Sequence, residues 1–233
     1  MKDPYVYEDT GVLKNKLGIK NYDELVKAES DLSFVKLLTV DRDVDCHEFG
    51  IDYLKDIHKY ILNDIYDWAG EFRTVPMEKP ERVLDGQSVE YAYPTEILEK
   101  TKHALHKLNA INWNAQQLDD KAMNFSKLIA ELWQVHPFRD GNTRTITTFA
   151  FRFADERGFG MQRSLLLDHF TYVRDSLVMA SLGEYSEYNY LYRIVKDGIQ
   201  RGAKDREARE MKYREANDIK TKDIKSERDN INR

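Results

Sequence analysis

His136, Asp140, Asn142 and Arg144 fall within the nine residues HPFRDGNTR, 136–144, between two apolar runs that could each fill a core. Histidine titrates near neutrality and can take a proton from an incoming hydroxyl. Pro137 keeps the preceding helix from continuing and favours an extended backbone at His136. Asp140-Gly141-Asn142 is turn chemistry, so a new helix should begin near Asn142 with its free N–H groups facing the loop. Such a terminus attracts anions, phosphate above all. Arg144, in the first turn, adds a forked cation suited to phosphate oxygens. Asp140 would repel phosphate unless a cation sat between them, which points to Mg²⁺ completed by phosphate oxygens and water. Phe138, apolar among polar neighbours, reads as the loop's anchor in the core. A lone His-Pro is usually a helix end and a lone Asp-Gly-Asn usually a turn; together with the arginine they point to phosphate chemistry.

Several elements must hold this loop. Leu118, Ala122, Phe125, Ile129 and Trp133 mark one face of a helix over 118–135, and Ile146, Phe149, Ala150 and Phe153 mark another over 142–157. Upstream, helical spacing covers 22–38, and a second helix through Leu54, Ile57, Ile61 and Ile65 ends near Trp68 and Gly70. A polar break, DRDVDCH, separates them. Residues 94–109, 168–181 and 188–201 also read as helices. Between 71 and 93 the Asp85-Gly86 turn and the prolines Pro76 and Pro80 predict an irregular, exposed hairpin rather than a sheet. The fold class is therefore all-α with one short β-hairpin. Three parts are expected: an N-terminal arm and helix over 1–45, a core over 46–200, and a charged tail over 201–233, helical or disordered.

Composition bounds the function. The net charge of −5 argues against a general nucleic-acid binder. No apolar run is long enough to span a membrane. Cys46, the single cysteine, has no disulfide partner within the chain, and the polar N-terminus lacks a signal peptide. A cytoplasmic protein is expected, with secretion lacking a cleaved signal left open.

HPFRDGNTR resembles the signature of the Fic family, usually written HxFx(D/E)GN(G/K)R, and YVYEDTGVLKNKLGIKN and IYDWAGEFRTV resemble segments of bacterial members. The resemblance implies a Fic (Fido) helical bundle with a hairpin flap over the active site. It implies a protein adenylyltransferase that moves AMP from ATP to a Ser, Thr or Tyr hydroxyl of a target protein. His136 would be the base and Asp140 the Mg²⁺ holder. Gly141, Asn142 and Thr143 would cradle the phosphates, Arg144 would stabilise charge as pyrophosphate leaves, and Tyr172 would contact the nucleoside. Thr74, Val75, Pro76, Met77 and Glu78 fall where the flap aligns the target by strand-like contacts. Two positions depart from the pattern. Thr143 stands where Gly or Lys is usual, and Thr147 where a second arginine is associated with the γ-phosphate. They keep open a transferase with another nucleotide or phosphate donor; a catalytically silent binding module is the remaining alternative. The restraining motif [S/T]xxxE[G/N] is absent, since no Glu-Gly or Glu-Asn dipeptide occurs, so restraint is expected from a separate small antitoxin-like protein.

Other candidates read as structure. His103 and His106 lack a third metal donor and read as surface residues. His58 and His169 read as surface or capping residues, Trp68 and Trp133 as packing. Lys79, Arg82 and Lys100 read as charges that keep the hairpin soluble.

Overall fold

The computed structural model describes residues 3–231. Eight α-helices follow in order: α1 Tyr22–Asp43, α2 Ile51–Leu62, α3 Ile97–Ala110, α4 Leu118–Val135, α5 Asn142–Glu156, α6 Arg163–Asp168, α7 Phe170–Met179 and α8 Asn189–Ile231. Helix α4 runs through the middle and packs on α3, α5, α7 and α8, while α2 lies between α1 and α5. Its apolar face is why it is central: Phe125, Ala130, Leu132 and Trp133 are almost wholly buried. Phe149 and Phe153 of α5 meet Phe49 edge-on at 5.5 and 5.1 Å between ring centres, a geometry aromatic pairs favour.

Local chemistry sets the boundaries. Asn21 caps α1 by accepting the Glu24 N–H at 3.0 Å, with Asp23 and Glu24 in the first turn favouring the positive helix end. The helix runs three residues into the expected polar break, to Asp43. Helix α8 is much longer than the apolar spacing over 188–201 suggested. Its first turns bury Leu191, Ile194, Val195 and Ile199, and the charged tail continues the same helix.

No strand pairing forms between 71 and 93. This segment is an irregular reversal through a single 3₁₀ turn, Arg82–Leu84, with Asp85 left-handed at φ 52° and the Glu81 N–H bonded to Gln87 O at 3.0 Å. Nor is it wholly exposed, because Val75, Val89, Tyr91 and Ala92 are buried. The one β-bridge among the described residues joins Val6 and Leu13 in the N-terminal arm.

Candidate active site

The loop 136–141 joins α4 to α5, and three side chains fix its shape. Phe138 is fully buried and stacks on His58 at 3.8 Å between ring centres. Asn142 turns back across the loop, accepting the Phe138 N–H at 2.9 Å and donating to the Phe138 carbonyl at 2.8 Å. His58 closes the other side. Its Nδ1 accepts the Gly70 N–H at 2.7 Å, so Nε2 carries the hydrogen and donates to the Asp140 carbonyl at 3.0 Å. Far from being a surface residue, His58 is wholly buried, and burial pushes its pKa down to about 4. Gly141 sits at φ 74°, where a Cβ would lie 2.5 Å from Leu62 Cδ1. Glycine is required there both by backbone conformation and by space.

His136 ends α4 in the left-handed region, φ 51° and ψ 58°, rather than extended as Pro137 suggested. Its N–H bonds the Trp133 carbonyl at 3.0 Å, closing the helix end. Its carbonyl accepts Arg73 Nε at 2.8 Å. The His136 ring stacks on Tyr91 at 4.0 Å, and Nδ1 lies 3.3 Å from the Trp133 carbonyl. A carbonyl only accepts, so Nδ1 carries the hydrogen and Nε2 the lone pair. That Nε2 is buried and has no hydrogen-bond partner. Burial, then the nearby Lys79 charge, holds the His136 pKa well below the usual histidine value. The side chain is therefore a neutral base.

Asp140 Oδ1 accepts the Gly141 N–H at 2.6 Å and Lys79 Nζ at 3.1 Å. Burial alone would raise its pKa, but Lys79, Arg144 and the Gly141 N–H together hold it well below the carboxylate range. Lys79 thus belongs to the site; it is no mere solubilising charge. Arg144 is already engaged: it donates to Glu29 and, at 2.8 Å, to Ser33 Oγ, both on α1. Thr143 Oγ1 accepts Trp133 Nε1–H at 3.0 Å, so Trp133 is both core and site.

These groups floor a cleft of about 440 Å³. Its polar side is His136, Asp140, Thr143, Arg144, Lys79 and Arg174; its apolar side is Val26, Phe34 and Leu37 of α1 with Leu167 and Phe170. Tyr172 is not on it. Its hydroxyl donates to the Tyr190 carbonyl at 3.3 Å, because residues 170 and 174 share a helix face that 172 does not. Of the flap residues, Val75 is buried, Met77 half-buried, and Thr74, Pro76 and Glu78 exposed. Thr74 N–H bonds Tyr5 OH at 3.1 Å. The N–H groups of Met77 and Glu78 have no partner among the described residues.

Arg73 holds the flap's two ends. Buried at 2% exposure, it donates to Val75 O at 2.8 Å, to Ala92 O, and to the His136 carbonyl. Burial, then the neighbouring Arg139, lowers its pKa to about 10. Sequence reasoning missed Arg73, Lys79, Glu29 and Arg174. Each meets a partner 61 to 115 residues away, so no local spacing marked them.

The donor set suits a hard divalent cation only in company. Among the described residues no three His, Cys, Asp or Glu side chains form a metal cage. Asp140 offers one oxygen, Oδ2, free of hydrogen bonds beside an anion-binding helix end, so a Mg²⁺ there would depend on phosphate oxygens and water. The residues fit that arrangement.

Residues 48–154 match the profile of the Fic/DOC family. The protein adenylyltransferase VbhT of Bartonella schoenbuchensis is 31% identical over 157 residues, 67% of this chain and 32% of that protein. A protein adenylyltransferase of Bartonella henselae is 28% identical over 203 residues, 83% of this chain and 37% of that protein. The matches thus span about a third of the length of these relatives. The structure of the Bartonella tribocorum effector BepC with bound AMPPNP superposes with a TM-score of 0.66 at 20% identity, covering 83% of this chain and 95% of that one. That likeness is one of fold. Among the described residues no helix is long and apolar enough to cross a membrane.

Proposed function

Since the chain belongs to the Fic/DOC family through residues 48–154, we propose that it transfers AMP from ATP to a hydroxyl side chain of a target protein. One observation carries this reading. His136 presents a buried, unpartnered Nε2 to a cleft that also holds the free N–H groups of the α5 N-terminus. The cleft suits a nucleotide, with an apolar wall for the base and cations with backbone donors for the phosphates. The target hydroxyl attacks the α-phosphorus while its proton passes to His136 Nε2. The bond to the bridging oxygen breaks, pyrophosphate leaves, and AMP remains on the target as a phosphodiester. Bound at Asp140, Mg²⁺ would neutralise phosphate charge.

The α5 N–H groups and Arg144 hold the phosphates in line, which is the usual source of rate in such transfers. Arg144 must then share its fork between Glu29 and phosphate. The unpaired N–H groups of Met77 and Glu78 leave the flap edge free to align an extended target segment. That edge places the hydroxyl near His136.

A different donor is the second reading, favoured by Thr147, which brings no cation to the cleft. Both are tested by incubating the protein with lysate and ATP labelled on the α- or the γ-phosphate, and with GTP, UTP and CTP labelled on α. Label on protein from α- but not γ-labelled ATP is expected. Transfer from γ-labelled ATP, or from another nucleotide in preference, would sink the adenylyl reading.

A further inference from the structure

Helix α5 is short of positive charge where it meets the cleft. Thr147, one turn beyond Arg144, donates its hydroxyl to the Thr143 carbonyl at 2.7 Å, so it faces its own backbone. Arg144 is shared with Glu29 and Ser33. On the opposite wall, α7 presents Arg174. Its Nη2 donates to both carboxylate oxygens of Glu81, at 2.7 and 3.0 Å. The Glu81 side chain is 4% exposed and also accepts from Tyr91 OH at 3.1 Å. Arg174 is therefore anchored to a fixed acid rather than swinging in solvent. Its Nη1 lies 3.4 Å from Thr143 Oγ1, at the first turn of α5. Thr143 Oγ1 also accepts the Trp133 Nε1–H. Both its lone pairs are thus occupied, and its own O–H is left to donate. A forked cation, a hydroxyl obliged to donate and free helix N–H groups converge beside the unpartnered His136 Nε2.

We propose that Arg174, anchored by Glu81 against Thr143, binds the phosphates of a nucleoside di- or triphosphate in this cleft, supplying from α7 the cation that position 147 of α5 lacks. The proposal rests on the nucleotide reading above. A planar guanidinium suits this place because it can keep Glu81 on one nitrogen and offer another to phosphate.

Calorimetric titration of ADP, AMPPNP and adenosine into the wild-type chain, Arg174→Gln and Arg174→Lys tests it. Arg174→Gln should weaken ADP and AMPPNP about ten-fold or more and leave adenosine unchanged. Arg174→Lys should recover part of the loss, since it keeps the charge without the fork. Unchanged ADP affinity in Arg174→Gln, or an equal loss for adenosine, would overturn this assignment while the nucleotide reading survives. A wild-type chain that binds neither ADP nor AMPPNP sinks both.

Discussion

At the scale of single residues the site is a set of decided protonation states. The Trp133 carbonyl leaves His136 Nε2 with the lone pair, and burial keeps the ring neutral. His136→Ala should therefore abolish transfer, by about 10²–10⁴-fold, while calorimetry shows nucleotide affinity little changed. Transfer near the wild-type rate would remove this residue from the mechanism. The lowered pKa also fixes a sign. A base whose pKa lies below the usual histidine value stays unprotonated as pH falls through that value. The rate should accordingly show no histidine-type decline between pH 8 and about 6.5, the ordinary histidine range. A midpoint near neutrality in the rate profile would contradict the neutral, buried base.

At the scale of elements, the flap is held by hydrogen bonds that Arg73 makes to carbonyls, and no sheet is needed. Arg73→Met keeps the length of the side chain and removes every donor, leaving the carbonyls of Val75, Ala92 and His136 unmet. Stranding buried acceptors costs about 1–3 kcal/mol each at most, so a loss of roughly 3–5 kcal/mol is expected in urea unfolding. Because the flap and His136 share this one side chain, modification of the protein target should fall further than nucleotide affinity. Equal falls in the two would show that Arg73 supports the fold alone.

For the whole molecule, two consequences concern stability. His58 is neutral in the folded chain, with a pKa of about 4, and takes a proton near 6.5 when unfolded. The unfolded state then binds more protons below 6.5, so stability is complete above that pH and declines as pH falls toward 4. At pH 5 His58 alone accounts for about 2 kcal/mol. Melting temperature should drop on acidification, less steeply in His58→Gln; identical slopes would free His58 of this role. Helix α8 closes the bundle through Gly202, where a Cβ would stand 2.2 Å from the Gly160 carbonyl oxygen. Gly202→Ala must push backbone from backbone, costing about 1–3 kcal/mol and lowering the melting temperature by several degrees. An unchanged melting curve would mean that α8 shifts freely.

What the sequence determined alone was everything that depends on neighbours along the chain. Apolar periodicity placed α4 and α5 almost to the residue, and turn chemistry placed the loop between them with Gly141 at its bend. His136, Asp140 and Asn142 were visible because their types and spacing carry meaning within nine residues. What lay beyond reach was set by approach through space. The Thr143 hydroxyl had no reading beyond a departure from a pattern, its place in the phosphate cradle coming from the resemblance, until Trp133 and Arg174 were seen to occupy its lone pairs. Arg144 looked free until α1 laid Glu29 and Ser33 across it. His58 looked like a surface or capping residue and Arg73 carried no signal, yet they hold the loop and flap from 82 and 63 residues away in sequence. Periodicity reports which face of a helix is buried, but not which distant polar group that face will meet. Such pairings are decided only when burial strips water from a donor and leaves one acceptor within reach.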